Sequence, residues 1–231
     1  MSKEIEVPWG EIGYITYKRT YSRKLNDNNI DSKTEEFEDT IERELRACKT
    51  QLSLEFNPGD IELYRKTRLS LKWSVAGRFM WQLGTSTVDK FGLPSLQNCA
   101  GTVVDHPIRP FTWAFEMLML GSGVGYNIQK EYVYQLPKVQ SSQIKIIRLD
   151  TKDADYIVPD SREGWVKLLG KVLKAHFYNG EGFTYSTQLI RSKDSPIKGF
   201  GGTASGPEEL CWGMNEISKI LNIRAGLKLR P

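Results

Sequence analysis

Histidine and cysteine are scarce in this chain: two histidines, His106 and His176, and three cysteines, Cys48, Cys99 and Cys211, are spread over 231 residues. The close Cys and His pairs of a structural zinc site are missing, so no metal centre is expected. An odd, widely spaced set of thiols is no disulfide framework. The N-terminus also lacks the basic-then-apolar pattern of a secretory signal, which makes a reducing cytoplasm the natural setting. Long apolar runs are absent too: the longest, near Phe111 to Leu120, is broken by Glu116 and is too short to span a bilayer. Charge imbalance is slight, with 32 basic against 28 acidic residues, a net +4 and a pI near 8.8. That excess suits a phosphate-bearing ligand as well as nucleic acid and separates neither. The Walker lysine is missing, and so is the strand, glycines, helix order of a P-loop or dinucleotide fingerprint. An apolar helical pattern precedes GSGVG at Gly121 to Gly125, and a strand pattern follows it. No repeat and no low-complexity segment is present.

What remains reads as an ordinary globular chain, 39% hydrophobic and 26% charged with 20 glycines. Val7 to Arg23 mixes aromatics, β-branched residues and bases, a pattern for one short strand and then an arm. From Asp31 to about Phe56 the spacing is helical, with Phe37, Ile41, Leu45, Cys48 and Leu52 on one stripe. Asp31 or Ser32 is the expected N-cap, and Cys48 reads as a small buried hydrophobe. Asn57, Pro58 and Gly59 break the chain, and Asp60 is expected to cap a second helix running toward Val75 or Ala76. Residues 1–76 thus form an N-terminal arm and small helical region, ahead of a strand-bearing body at 77–231. Within that body VYQL, IKIIRL and DYIV between Glu131 and Pro159 look like strands. Asp160 with Glu163 opens the clearest helix, whose face is Trp165, Leu168, Leu169, Val172 and Leu173. His176 falls near its end, where a cationic or hydrogen-bonded imidazole is favourable. GFTYSTQLI is a further strand. Pro207 starts a last helix with Leu210, Met214, Ile217 and Leu221 inward and Cys211 one position off the stripe, a structural residue. Strand, loop and helix in succession indicate an α/β fold.

Two stretches hold candidate chemistry. Cys99 lies between Asn98 and the small pair Ala100 and Gly101, just ahead of β-branched Thr102, Val103 and Val104. It is a thiol at a strand mouth, with a structural cysteine as the alternative. The glycines of GSGVG allow close approach of either a ligand or another strand. In the second stretch Gly199, Gly201, Gly202 and Gly206 are interleaved with Thr203 and Ser205 and preceded by Lys198. Free φ, hydroxyl donors and a cation favour a ligand loop over a plain connector.

Six segments in one order, PWGEIGYITYKRTYSR, GRFMWQLGT, QNCAGTVVD, MLGSGVGYNI, VPDSREGWVKLL and IKGFGGTASGPEEL, resemble the class II, adenosylcobalamin-dependent ribonucleotide reductases, and within them the ribonucleoside-triphosphate reductase branch. The resemblance implies the N-terminal half of a ten-stranded α/β barrel, built in the whole enzyme from two antiparallel halves around a finger loop with a thiyl-radical cysteine. It implies that Cys99 is the first-strand member of the redox-active pair that reduces the ribose. It further implies that Thr85, Asn98 and Gly123 contact substrate, and that Lys198, Gly199, Gly201, Gly202, Thr203 and Ser205 belong to the loop relaying effector identity to base selection. Adenosylcobalamin as cofactor, a ribonucleoside triphosphate as substrate, a deoxynucleotide effector and a thioredoxin-like or dithiol reductant follow from the same likeness, with no membrane and no nucleic acid as partner. The finger-loop pattern Asn-x-Cys-x-Glu and the second reducing cysteine are not in this sequence. The chain is therefore expected to be a fragment or one piece of a split gene, with most cofactor contacts on a C-terminal complement. Two other readings stay open: a non-catalytic nucleotide-binding or regulatory module, and a nucleic-acid binder resting on the basic KRTYSRK arm.

Overall fold

Tyr14, Tyr17 and Tyr21 recur at helical spacing, and in the computed structural model Gly10–Thr20 is a helix, α1, where a strand and arm were expected. The β-branched content of the segment favours a strand, but burial decides otherwise. Tyr17 is buried against Trp9 and Phe37, with ring centroids at 5.6 and 5.5 Å, an arrangement that needs the side chains on one helical face. The structure describes residues 9–26, 32–197 and 202–231.

Those residues divide into two compact units. The first runs to Gln97; the second covers 98–197 and 202–231. The expected boundary after residue 76 falls between α3 and α4. In the first unit α2 is Phe37–Thr50, α3 Pro58–Leu69, α4 Gly77–Gln82 and α5 Ser86–Phe91. The expected stripe is inside, with Phe37, Ile41, Leu45 and Cys48 all buried. The helix starts later than expected, however. Lys24 and Thr34 form an antiparallel bridge, which holds the residues before α2 extended. Glu36 then caps the helix reciprocally with Asp39. At α3 the cap is Asn57, and Asp60 is its capping-box partner three residues on. Two ion pairs lock the unit: Arg43 on Glu35 at 2.7 Å, and Arg68 on Glu44 at 2.8 Å, the latter pair fully buried.

The second unit contains two sheets, both parallel. β1 (Cys99–Val103) and β2 (Gly123–Asn127) are joined by α6 (Arg109–Met119), a βαβ unit, with Cys99 opposite Gly123. The expected order of apolar helix, glycines and strand is what forms. α7 (Lys130–Val133) takes the place of the expected VYQL strand. Val133 and Leu136 there are buried with Val104, a spacing of three that suits a helical turn and not a pleat. β3 (Ile146–Arg148), β4 (Tyr156–Ile157) and β5 (Phe183–Ser186) form the second sheet in the order β3-β5-β4. α8 (Arg162–Lys174) and α9 (Glu208–Ile223) supply Leu168, Leu169, Val172, Leu210, Met214 and Leu221 to its core. Burying each such side chain is worth about 1.5–3 kcal/mol. The cap of α8 is Ser161, whose Oγ accepts from the Gly164 N–H at 3.1 Å; Asp160 instead pairs with Arg191 at 2.8 Å. The α/β class is as expected. Among the described residues there are five strands in two open sheets and no closed barrel.

Candidate functional site

β1 and β2 bring two separated motifs together. Their register aligns Cys99 with Gly123 and Gly101 with Gly125, and the Gly123 N–H donates to the Asn98 carbonyl at 2.8 Å. Residues alternate across a sheet, so Cys99, Gly101, Gly123, Gly125 and Asn127 share one face. The opposite face carries Tyr126, which stacks near Phe111 of α6 at 5.9 Å. On the first face Cys99 is exposed, with Asn98 exposed beside it.

The glycines of that face are not required by the chain itself. None of Gly101, Gly123 and Gly125 has positive φ. A Cβ built on Gly125 meets nothing within 4 Å, and at Gly101 and Gly123 the nearest atoms are carbonyl oxygens at 3.9 and 3.8 Å. Glycine in a strand weakens it, so three of them on one bare face keep space open beside the thiol. Parallel sheets are ordinarily covered on both sides; here α6 packs on one side, and on the other Cys99, Gly101, Gly123 and Gly125 are exposed among the described residues.

Thr85 lies in the first unit as the residue ahead of α5. Its hydroxyl is buried and donates to the Gln82 carbonyl at 2.7 Å, so it faces inward. Of the second candidate stretch, Lys198, Gly199 and Gly201 lie outside the described residues. The flanks pair with each other: Pro196 bridges Thr203, and the Ile197 N–H donates to the Gly202 carbonyl at 3.0 Å. Gly202 has φ +80°, which only glycine adopts without strain, and the Ser205 hydroxyl donates to the Gly206 carbonyl at 3.2 Å.

Cys48 and Cys211 are buried, Cys211 beside the Tyr185 hydroxyl in the core of the second unit. His176 is not at a wet helix end. It is wholly buried in a π turn that follows α8, with Nε2 2.9 Å from the Ser218 Oγ. Burial pushes its pKa below the ordinary value, which favours the neutral imidazole, and the contact with Ser218 fits the hydrogen-bonded role of the two expected. Among the described residues no group of three or more His, Cys, Asp and Glu is placed to hold a metal ion. No described helix is long and apolar enough to cross a membrane.

A polar cluster that the sequence did not single out sits where β3 and β5 end. Asp150 accepts from the Thr187 N–H at 2.6 Å and from the Thr187 hydroxyl at 3.0 Å, and Arg148 bridges Asp150 and Glu208, each at 2.8 Å. Burial opposes the charge on Asp150, but those hydrogen bonds and the guanidinium outweigh it and hold its carboxyl below the usual range. The carboxyl ends of parallel strands are where α/β proteins place ligands, and the paired segment around Pro196 and Thr203 leaves from this end.

Residues 130–221 match the family described as B12-dependent ribonucleotide reductase, insertion domain. A solved structure of a B12-dependent, class II ribonucleotide reductase superposes with a TM-score of 0.80 at 26% identity, covering 98% of this chain and 39% of that one. By sequence and by fold, the chain is related to the class II ribonucleotide reductases. The adenosylcobalamin-dependent ribonucleoside-triphosphate reductase of Lactobacillus gasseri is 31% identical over 98% of this chain and 38% of its own length. A probable reductase of the same description from Dictyostelium discoideum is 32% identical over 95% of this chain and 32% of its own. The chain thus spans well under half the length of the reductases it matches. The alignment to the L. gasseri reductase occupies 288 positions, more than the 231 residues present here, so that relative carries internal segments that this chain does not. The second sheet, α8 and most of α9 fall within the insertion-domain match, while the Cys99 sheet precedes it.

Proposed function

We propose that this chain forms the substrate-facing N-terminal portion of an adenosylcobalamin-dependent ribonucleoside-triphosphate reductase and is active with the remainder of the enzyme. The observation that carries this is an exposed thiol at the head of β1, on a face kept bare by Gly101, Gly123 and Gly125. Cys99 serves as one of two reducing thiols. The pair gives up two electrons and two protons, an S–S bond forms, the ribose 2′-hydroxyl leaves as water and a hydrogen takes its place. Its partner must come within about 5.5–6 Å, Cα to Cα, and neither buried cysteine of this chain is available for that. The partner is therefore assigned to the complement.

Asn98 contacts the substrate beside Cys99, and Gly123 presents backbone to it. Thr85 contacts it only if its hydroxyl turns away from Gln82. Lys198, Gly199, Gly201, Gly202, Thr203 and Ser205 belong to the loop that relays the identity of a deoxynucleotide effector to base selection, and a thioredoxin-like protein or small dithiol restores the thiols. Adenosylcobalamin, when bound, supplies the homolytic cleavage that begins radical chemistry. It must face a thiol other than Cys99, and the remaining two are in apolar cores, so the radical thiol and most of the cofactor contacts are assigned to the complement.

The test is reduction of a ribonucleoside triphosphate with adenosylcobalamin and dithiol, with and without a second chain bearing Asn-x-Cys-x-Glu. Turnover is expected only in the complemented mixture and is lost in Cys99→Ala. Turnover indifferent to Cys99→Ala removes the role assigned here. A non-catalytic nucleotide-binding module is the second reading, favoured by the single exposed thiol; it is the outcome if nucleotide binds and no complement restores turnover.

A further inference from the structure

β3 is an edge of the second sheet. The Phe183 N–H donates to the Lys145 carbonyl at 3.1 Å and the Leu149 N–H to the Tyr185 carbonyl at 2.7 Å, which commits the peptide groups of residues 145, 147 and 149 to β5. Those of Ile144, Ile146 and Arg148 consequently point away from the sheet. At Ile144 they are taken by a side chain. Asn222 of α9 accepts from the Ile144 N–H through Oδ1 at 2.9 Å and donates through Nδ2 to the Ile144 carbonyl at 2.9 Å. A carboxamide there makes the pair of bonds that a neighbouring strand would make. One step along, the outward peptide groups of Ile146 have no such partner among the described residues.

Beyond this open edge lies a groove of about 690 Å³, lined by Gln143, Lys145, Ile147, Asn215, Ser218 and Lys219 among others. α9 turns Leu210, Met214 and Leu221 into the core, and its polar stripe overhangs the strand edge. Ser218 is fixed there by His176 at 2.9 Å. Ile147 and Ile223 line the same groove and are 51% and 72% exposed, apolar area that a strand laid along β3 would cover. Two ammonium groups, Lys145 and Lys219, stand against one carboxylate, Glu216, 3.8 Å from Lys219.

We propose that this groove binds an extended acidic segment of another polypeptide, which adds to β3 as a fourth strand. Its backbone pairs with Ile146 and Arg148, its carboxylates meet Lys145 and Lys219, and an apolar side chain covers Ile147. Backbone bonds supply the affinity and alternate side chains the selectivity, as in other strand-addition sites. The Asn222 carboxamide sets the register by closing the edge at Ile144. The site lies outside the Cys99 face and needs no nucleotide, so it stands or falls independently of the reductase reading.

The experiment is fluorescence anisotropy of the full chain with a short labelled peptide alternating Val and Glu. Three comparisons decide it: the same peptide N-methylated at every second residue, a Val and Lys peptide, and the Lys145→Glu/Lys219→Glu chain. Saturable binding is expected for the acidic peptide alone, lost on N-methylation in the edge-facing register and weakened by about tenfold or more on charge reversal. Ile146→Pro removes an outward N–H that β5 does not use and should also weaken binding; if that variant does not fold, the N-methyl comparison decides by itself. No saturable binding, equal binding of the Lys peptide, or indifference to N-methylation overturns the proposal. So does a dimer in sedimentation that Ile146→Pro abolishes, because the edge then serves a second copy of this chain.

Discussion

Gly125→Ala separates what the Cys99 sheet needs for itself from what it keeps free for something else. In this structure the added methyl meets nothing within 4 Å, and the backbone there is not in the left-handed region. Only the unfolded-chain entropy and the strand preference of glycine then act, and replacing it stabilises by about 0.5–1 kcal/mol. For a chain of this size that raises the thermal midpoint by roughly 1–4 °C. Gly182→Ala is the opposite case. Its Cβ falls on the Lys145 carbonyl that receives the Phe183 N–H, so the β3–β5 ladder must shift, at a cost of about 1–3 kcal/mol. Calorimetry or circular dichroism on the two variants gives the stability comparison. Nucleotide reduction by complemented Gly125→Ala gives the functional one, with turnover expected to fall although the protein is more stable. A Gly125→Ala chain destabilised by more than about 1 kcal/mol would refute the reasoning, since the bare face would then be an internal requirement.

Glu44→Ala leaves the Arg68 guanidinium buried without its carboxylate, and urea unfolding should show a loss of about 3–5 kcal/mol, whereas Glu44→Leu with Arg68→Met should lose less. His176 has its pKa depressed by burial, so the unfolded chain takes up its proton first. Stability is therefore full above the ordinary value near 6.5 and falls as pH drops from there toward the folded pKa, by up to about 1.4 kcal/mol per pH unit, and His176→Gln should flatten that slope. Iodoacetamide should label Cys99 in the native chain and reach Cys48 and Cys211 only after denaturation, a count that mass spectrometry reads directly. Early labelling of Cys211 would contradict the packing described for the second core.

Much of the second unit was legible from periodicity. The faces of α8 and α9 and the succession of apolar helix, glycines and strand around Gly123 follow from apolar spacing within single segments. α1 was missed because β-branched composition outweighed the helical spacing of Tyr14, Tyr17 and Tyr21, a conflict resolved only by contact with Phe37. The later start of α2 has a similar origin: Lys24 pairs with Thr34, a contact between segments. Cys99 and Gly123 were each visible as motifs, but their register was not. The cluster around Asp150 was invisible, since Asp150 and Thr187 are 37 residues apart and meet only through the β3–β5 alignment. The Asn222 carboxamide against Ile144 is hidden for the same reason, across 78 residues.

The Cys99 sheet is a βαβ unit whose parts are consecutive, from Cys99 through α6 to Asn127. During synthesis that stretch is made before β5 and α9, and a parallel pair joined through a helix closes slowly. The thiol is then carried on strand segments that are not yet stably paired while the rest of the chain is still emerging. A nascent chain in that state exposes an oxidisable sulfur and unpaired strand edges together, so its early handling by thiol reductants and holding chaperones bears on how much functional protein is recovered.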